Sequence, residues 1–423
     1  EELVRVVVAV SNSNPFWQAK FRQAGWADPT EIIAAIQNGA EIGALPLCTK
    51  AELVADQEET GPYGTNLTVP LEEFNRLHQT SGTTGQPLRW LDSQANWDRI
   101  LGTWAQIFRI AGVQSSDRFC FPFSFGPFIG FWAAFEGAVR EGHLCLSGGG
   151  MSSEMRLRVI EKNMATVVCC TPTYALRLAE VACAKGLNLV DGSVRMLIVA
   201  GEPGGSVPAI RSAIEEAWGA RVIDHWGMTE IGPAAVECVE CPGGMHVLET
   251  ECIAEVLDPE TLEPVTTNQT GELVLTTLGR VDSPVLRFRT GDLVERREGE
   301  CACGRSLLWL SGGIKGRTDE MITIRGNNLF PSSLEALLRE IPGVVEFRVT
   351  VRSENAMDQV VIEVEPDGKV KPESLVSQVV QRCGEQWGFR IEVVAVETGS
   401  LPRFEMKGRR FVRVDDREKE TGQ

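Results

Sequence analysis

No stretch of this chain approaches the roughly 18 consecutive apolar residues that a membrane-spanning helix requires, although 43% of its 423 residues are hydrophobic. Residues 1–10 also lack the basic-then-apolar layout of a secretory signal. Long single-sign charge blocks, internal repeats and low-complexity segments are missing as well. With 23% charged residues spread along the chain, extended disorder is excluded outside the tail at 415–423. Positive charge is in deficit: 41 Lys and Arg face 58 Asp and Glu, a formal charge of −17 that repels nucleic acid and anionic lipid. The expectation is a cytoplasmic globular protein with no nucleic-acid and no membrane partner.

What remains is enough chain for about two or three domains with a large core. The first eighty residues read as helical and polar. Beyond them short apolar runs at 167–170, 196–200 and 222–224 alternate with helical periods such as 173–185 and 207–218. That alternation predicts an α/β domain with a largely parallel sheet. Residues 251–277, where Val and Ile alternate with polar residues around Asp258-Pro259, predict a more antiparallel β subdomain. After Gly316 the rhythm resets to strand (321–324), helix (332–339), two strands (344–351, 359–364), helix (373–384) and strand (391–395), a small α+β domain. The boundary falls near Asp319, giving domains 1–318 and 319–423.

Twelve cysteines are too few for a disulfide scaffold. Cys145, Cys169 and Cys170 sit in apolar runs and read as reduced core residues. Cys238, Cys241, Cys252, Cys301 and Cys303, with His246, lie in polar, Gly-rich surroundings. They supply soft and imidazole ligands suited to tetrahedral zinc, although the spacing is not a regular paired CxxC, and free thiols are the competing reading.

The strongest local signal is Thr80-Ser81-Gly82-Thr83-Thr84-Gly85, where hydroxyls and glycines alternate so that backbone N–H groups can surround a phosphate. It is not a P-loop, because no Gly-Lys-Ser/Thr follows. Downstream, in fixed order, come Gly201-Glu202-Pro203-Gly204, Asp224-His225-Trp226-Gly227-Met228-Thr229-Glu230, Thr290-Gly291-Asp292, Gly316-Arg317-Thr318-Asp319 and Lys407. Taken together these resemble the core motifs of the adenylate-forming superfamily. Arg76-Leu77-His78, Cys169-Cys170-Thr171-Pro172-Thr173-Tyr174, Arg325-Gly326-Asn327-Asn328-Leu329-Phe330-Pro331 and Leu401-Pro402-Arg403-Phe404-Glu405-Met406-Lys407 narrow the resemblance to the phenylacetate-CoA ligase family, over nearly the whole chain.

That resemblance implies the adenylate-forming enzyme fold, in which a large N-terminal α/β domain with a β subdomain precedes a small mobile C-terminal α+β domain. It implies activation of a carboxylic acid by ATP to an acyl-adenylate, then thioester formation with coenzyme A. Attack of a carboxylate on the α-phosphate gathers negative charges that must be screened and aligned. Ser81, Gly82, Thr83, Thr84 and Gly85 would wrap the β- and γ-phosphates. Glu230 would hold Mg²⁺ as a hard oxygen ligand, with Thr229 on the α-phosphate. Asp292 would accept both ribose hydroxyls and Arg317 would donate to the same sugar. Glu202, Pro203 and Gly204 would meet the adenine, with Asp224 and His225 at its edge. Lys407, beside Arg403, Arg409 and Arg410, would bridge carboxylate and α-phosphate. Asp319 matches the hinge, and Gly326 the place where the CoA thiol passes, with Arg325, Arg348 and Arg352 the nearest basic candidates for CoA phosphates.

The run Phe119 to Trp132 is dense in aromatics and contains no arginine to pair with a second carboxylate. Phe123, Phe125 and Gly126, with Trp226 and Gly227, are the candidate pocket for an aromatic or apolar acid, against the reading that most of these rings are core. Members of the resembled family with structural zinc point to Cys238, His246, Cys301 and Cys303, and many members are homodimers. Gln86 stands where many superfamily members carry Lys. Two rival readings stay open: transfer to an amine or carrier-protein thiol in place of CoA, and nucleotide binding without catalysis.

Overall fold

The computed structural model describes residues 1–26, 28–80, 87–297, 299, 301–318, 322–324, 327–354, 357–388, 391–404 and 408–415. Of the expected site residues, Ser81, Gly82, Thr83, Thr84, Gly85, Asp319, Gly326 and Lys407 lie outside the described residues, as does Arg325.

Strands Val167–Cys170 and Met196–Val199 are continuous apolar runs with every residue buried. Such strands need cover on both faces, which is the condition of a parallel sheet flanked by helices. In sheet order Leu144–Ser147, Arg118–Phe121, Val167–Cys170, Met196–Val199 and Arg221–Met228 run parallel. Met196 and Ile198 enter one apolar layer with Trp97, Trp104 and Phe108 of helix Gln94–Ile110. Leu197 and Val199 enter the other, with Leu178 of helix Pro172–Ala184 and Ile214 and Trp218 of helix Pro208–Trp218. The two-residue period of the pleat thus sorts one short run into two cores.

Beyond Arg221–Met228 the same sheet continues antiparallel through Gly232–Val236, Gly244–Val247, Trp309–Arg317, Phe288–Arg297, Thr270–Thr277 and Cys252–Leu257. The switch from parallel to antiparallel therefore occurs on the strand that carries Asp224 to Met228. The α/β class and the antiparallel character of 251–277 agree with the sequence reading.

The first eighty residues are less polar than expected. Helix Glu2–Ser13 buries Val6, Val7 and Val10, which pack with Trp17 and Phe21 of helix Pro15–Gln23 and with Leu273 and Phe288 of the sheet. An apolar stripe at helical spacing disappears in an averaged composition. Residues Phe74–Gln79 are a strand, paired antiparallel with Arg89–Ser93 into a hairpin whose connection contains the hydroxyl- and glycine-rich run at 80–85.

A second sheet, in the order Glu392–Ala395, Met357–Pro366, Val344–Glu354, Phe411–Asp415, packs with helices Pro331–Glu340 and Pro372–Trp387. Leu334, Leu338, Phe347, Ile362, Leu375 and Val379 form its own apolar core. Strand Phe411–Asp415, which pairs parallel with Val344–Glu354, was missed by periodicity because FVRVD is short and follows a basic segment. Among the described residues no helix is long and apolar enough to cross a membrane.

Candidate active site

The expected nucleotide residues gather where the parallel strands end, the edge at which open α/β sheets bind ligands. Strand Arg221–Met228 supplies Asp224 to Gly227, and the turn after it supplies Thr229 and Glu230. The loop following Met196–Val199 supplies Glu202, Pro203 and Gly204. Asp292 and Arg317 are register partners on the neighbouring antiparallel strands.

Asp292 is buried, yet its carboxylate is held in a fixed orientation. Trp226 Nε1 donates to Oδ2 at 3.0 Å and Arg317 Nη1 donates to Oδ1 at 2.9 Å. The two donors fix the plane of a carboxylate that, ionised, acts only as an acceptor. Gly291, at φ +76°, lets the chain turn beneath Arg317, whose guanidinium leaves no space for a side chain there.

Glu230 is 1% exposed. Its Oε1 lacks a hydrogen-bond partner among the described residues, although the Lys50 ammonium stands 3.1 Å away. The pair is close enough to attract but is not aligned as a hydrogen bond. The backbone beside Glu230 is secured by Arg280, which donates to the Thr229 carbonyl at 2.5 Å and to both oxygens of Asp92 at 2.6 Å. Arg280 and Asp92 are themselves buried, so this anchor is an internal ion pair, and no motif announced it.

Asp224 and His225 are adjacent, and the pleat sends them to opposite faces. Asp224 accepts from Ser206 Oγ at 2.6 Å beneath the 201–206 loop. Gly205 crosses so near its carboxyl that a Cβ would overlap it. Burial, with the nearby Glu237 carboxylate adding to it, pushes the Asp224 carboxyl up to about 7, against the pull of the Ser206 bond and Arg211. His225 packs 4.6 Å from the Trp104 ring, its Nδ1 on the Ala235 carbonyl at 2.8 Å, and burial pushes its imidazole down to about 4. It is a buried ring packed on Trp104, on the face of the strand opposite Asp224.

The Glu202 carboxylate is engaged by two backbone amides. Its Oε1 accepts from the Thr173 amide and its Oε2 from the Gly408 amide, both at 2.8 Å. The segment next to Lys407 is thereby docked on the loop of the large sheet. Arg410 is buried at the same junction, donating to Glu346 at 2.6 and 3.0 Å, to Glu335 at 3.3 Å and to Thr173 Oγ1 at 3.0 Å. Arg403 donates to Glu365 at 2.6 Å. The sequence reading of Arg403 and Arg410 as anion-facing is corrected: their charge is spent on carboxylates of this chain, and Arg409 is exposed. Arg348 is likewise committed to Glu363.

The pocket candidates form a connected aromatic group. Phe123 and Phe125 are half-buried, with ring centroids 5.0 Å apart; Phe125 lies 4.5 Å from Trp132, and Phe123 5.3 Å from Phe131. Phe119 and Phe121 are fully buried core, so the run divides between core rings and half-buried ones. The exposed Gly126 carbonyl accepts from Trp132 Nε1 at 2.9 Å. Gly227 sits at a bulge where a Cβ would meet the Gly232 carbonyl oxygen at 2.6 Å.

Cys238, His246, Cys301 and Cys303 come together, with all ligand atoms within 4.8 Å of one another. The Cys238 and Cys301 sulfurs are 3.5 Å apart, and Cys303 Sγ lies 3.4 Å from His246 Nε2. A tetrahedron of thiolate and imidazole ligands at about 2.3 and 2.1 Å has edges of roughly 3.5–3.8 Å, so this donor set fits zinc. Cys252 is a buried core thiol and stands outside the group.

An α/β domain closed by a small α+β domain, with carboxylates gathered at the strand ends, defines the architecture of adenylate-forming enzymes. The sequence profile described as AMP-binding enzyme matches residues 48–279, and that of the AMP-binding enzyme C-terminal domain matches 326–417. The chain belongs to the AMP-binding enzyme family. It is 30% identical to a phenylacetate-coenzyme A ligase of Thermus thermophilus, over 96% of this chain and 93% of that one. It is 29% identical to the Escherichia coli phenylacetate-coenzyme A ligase, over 93% and 89% of the two chains. Among solved structures, 2-hydroxyisobutyryl-CoA ligase in its postadenylation state with 2-HIB-AMP superposes with a TM-score of 0.90 at 31% identity, covering 99% of this chain and 89% of that one. The same ligase with 2-HIB-AMP and CoA in the thioesterification state gives 0.72 at 30% identity, with the same coverage.

Proposed function

We propose that this chain is an AMP-forming acid–thiol ligase that joins an aromatic or apolar carboxylic acid to coenzyme A. The observation that carries the reading is the pair of buried carboxylates at one sheet edge: Asp292, held by Trp226 and Arg317, and Glu230, with an oxygen left free of hydrogen bonds. Asp292 and Arg317 hold the ribose. Glu230 fits a hard divalent cation, because a buried ionised carboxylate needs positive charge beside it, which the Lys50 ammonium supplies at 3.1 Å in this structure. Mg²⁺ bound there would neutralise phosphate charge. Ser81, Thr83 and Thr84 receive the β- and γ-phosphates, Thr229 the α-phosphate, and Lys407 the charge that builds between carboxylate and α-phosphate.

In the first step a carboxylate oxygen of the acid bonds to the α-phosphorus, and the bond to the departing pyrophosphate breaks. In the second the CoA thiolate bonds to the acyl carbon, and the acyl–oxygen bond breaks to release AMP. Residues 1–318 bind ATP and acid. Residues 319–423 turn about Asp319 between the steps, first presenting Lys407 and then admitting the thiol past Gly326. The docking of Gly408 on Glu202 and the better match to a postadenylation structure support assigning the described arrangement to the first step. Phe123, Phe125, Gly126, Trp226 and Gly227 line the acid pocket, and Pro203 and Gly204 border the base.

Zinc held by Cys238, His246, Cys301 and Cys303 would tie the loop before Gly244–Val247 to the loop before Trp309–Arg317. With all four ligands supplied by protein its role is structural. One zinc per chain by elemental analysis, with a lowered unfolding midpoint in Cys301→Ala, is expected; absence of metal from protein purified without chelator would overturn the site. We place the enzyme in the cytoplasm and read it as a homodimer, for which light scattering should return twice the chain mass.

The test of function is pyrophosphate release from ATP and Mg²⁺ over aryl, arylacetic and short branched hydroxy acids, with and without CoA. Acid-dependent release that turns over repeatedly only with CoA supports the proposal. Acid-dependent release indifferent to CoA points to an amine or carrier-protein acceptor, and no release with any acid overturns it.

A further inference from the structure

The apolar layer that Phe123 and Phe125 join as half-buried rings continues inward ring by ring. The Phe123 centroid stands 5.3 Å from that of Phe131, Phe131 stands 6.4 Å from Trp104, and Trp104 stands 4.6 Å from His225. Three elements meet there: Phe131 lies on helix Gly130–Arg140, Trp104 on helix Gln94–Ile110, and His225 on strand Arg221–Met228, next to Trp226. All three side chains are buried. Phenyl or aliphatic groups would fill such a place without polar cost, yet two of these rings carry nitrogen into it.

The two nitrogens are complementary and are not bonded to each other. Trp104 Nε1–H, which only donates, is buried without a hydrogen-bond partner among the described residues. His225 Nδ1 lies 2.8 Å from the Ala235 carbonyl oxygen, which only accepts, so Nδ1 carries the proton. Burial pushes the imidazole down to about 4 and so keeps it neutral at physiological pH, which leaves Nε2 as a lone-pair acceptor. A donor and an acceptor on adjoining rings, in apolar surroundings, match one group that does both: a hydroxyl. A trapped water has the same chemistry, and the test separates the two.

We propose that His225 and Trp104 are specificity-determining residues for the acid, and that the preferred substrate carries a hydroxyl on its apolar body, which donates to His225 Nε2 and accepts from Trp104 Nε1. The proposal rests on the acid-pocket reading given above and restricts it from aromatic or apolar acids in general to hydroxylated ones. Pairing a hydroxyl discriminates more strongly than apolar fit alone, because an analogue without it leaves both nitrogens unpaired.

The test measures kcat/KM for acid-dependent pyrophosphate release by the full chain over matched acids: hydroxybenzoic and hydroxyphenylacetic acids against their unsubstituted and methyl-substituted counterparts, and hydroxylated aliphatic acids against their deoxy forms. In the wild type the best hydroxy acid should exceed its hydroxyl-free partners by about 10- to 100-fold. His225→Asn keeps an amide N–H for the Ala235 carbonyl but has no atom at the Nε2 position, and Trp104→Phe keeps a ring without the donor. Each should lower that ratio by at least about fivefold. His225→Gln, whose amide reaches the Nε2 position, should recover part of it. A wild type that prefers no hydroxy acid, as when the nitrogens hold only a water, overturns the proposal, and so do variants that lose hydroxylated and hydroxyl-free acids in equal measure. No pyrophosphate release with any acid overturns the ligase reading instead, so the two failures are distinguishable.

Discussion

The strands that carry Trp226, Asp292 and Arg317 are packed among apolar side chains of the large sheet, whereas residues 408–410 reach the same site through hydrogen bonds and ion pairs. Leu310, on the strand of Arg317, and Val294, two residues from Asp292, are buried in the core shared with Phe288 and Leu273. Across the junction the groups are the Glu202 carboxylate, the Gly408 amide, the Thr173 hydroxyl and the Arg410 guanidinium. Apolar burial is not recovered in water, but a hydrogen bond broken at a surface is largely replaced, so its net worth is about 1 kcal/mol. The first construction suits groups that must stay with the nucleotide through both half-reactions. The second suits a segment that, on the proposed function, arrives for one and departs for the other, and the small domain has its own core to hold it together.

The sharpest way to test this contrast is Lys407→Ala, expected to slow acid-dependent pyrophosphate release about 100- to 1,000-fold, as for loss of a preorganised charge in other sites. ATP affinity should stay within about twofold, and so should conversion of supplied acyl-adenylate to thioester. Asp292→Ala should weaken ATP and AMP alike by about 10- to 100-fold and impair both half-reactions, because it removes a charged acceptor from the fixed region. Glu202→Gln should slow adenylation by about tenfold while sparing thioester formation from supplied acyl-adenylate. Equal effects of Glu202→Gln on both steps would break the contrast.

The smallest effect is a pH slope within the fixed region. Asp224 has its ordinary value of 3.8 raised to about 7, and His225 has 6.5 lowered to about 4, burial being the main cause for each. Between those limits the folded state holds a proton on Asp224 that the unfolded state has lost, so stability falls as pH rises. For His225 the unfolded state holds the proton, so stability rises with pH. Each slope is about 1.4 kcal/mol per pH unit, and together they nearly cancel between roughly pH 4 and 6.5. Asp224→Asn removes the Asp224 slope, so the urea-denaturation stability of the variant relative to wild type should climb through that window; a flat difference would show that Asp224 does not titrate as described.

Much of the site was legible because its pieces are short and local. The alternation of hydroxyl and glycine at 80–85, the acidic residue after Gly-Met-Thr and the Thr-Gly-Asp turn each place a chemical group in a few consecutive residues. The apolar runs at 167–170 and 196–199 made the parallel sheet equally plain. Harder to read were side chains whose meaning depends on what faces them. Arg410 looked like a free charge in a basic segment and is a buried clamp between Glu346, Glu335 and Thr173. His225 looked like a neighbour of Asp224 in function and is its opposite across the pleat.

The sequence by itself determined the family and the α/β class and singled out the candidate nucleotide residues, since these are encoded in local motifs and in the period of apolar residues. Tertiary structure decided which of those residues meet. Trp226 and Asp292 are 66 residues apart and Cys303 and His246 are 57 apart, and Lys50 is brought to Glu230 by a helix docked on two separate strands. The physical reason is that strand register and pleat set which face a side chain takes. Both are fixed by the packing of the whole sheet, which no short run of sequence contains.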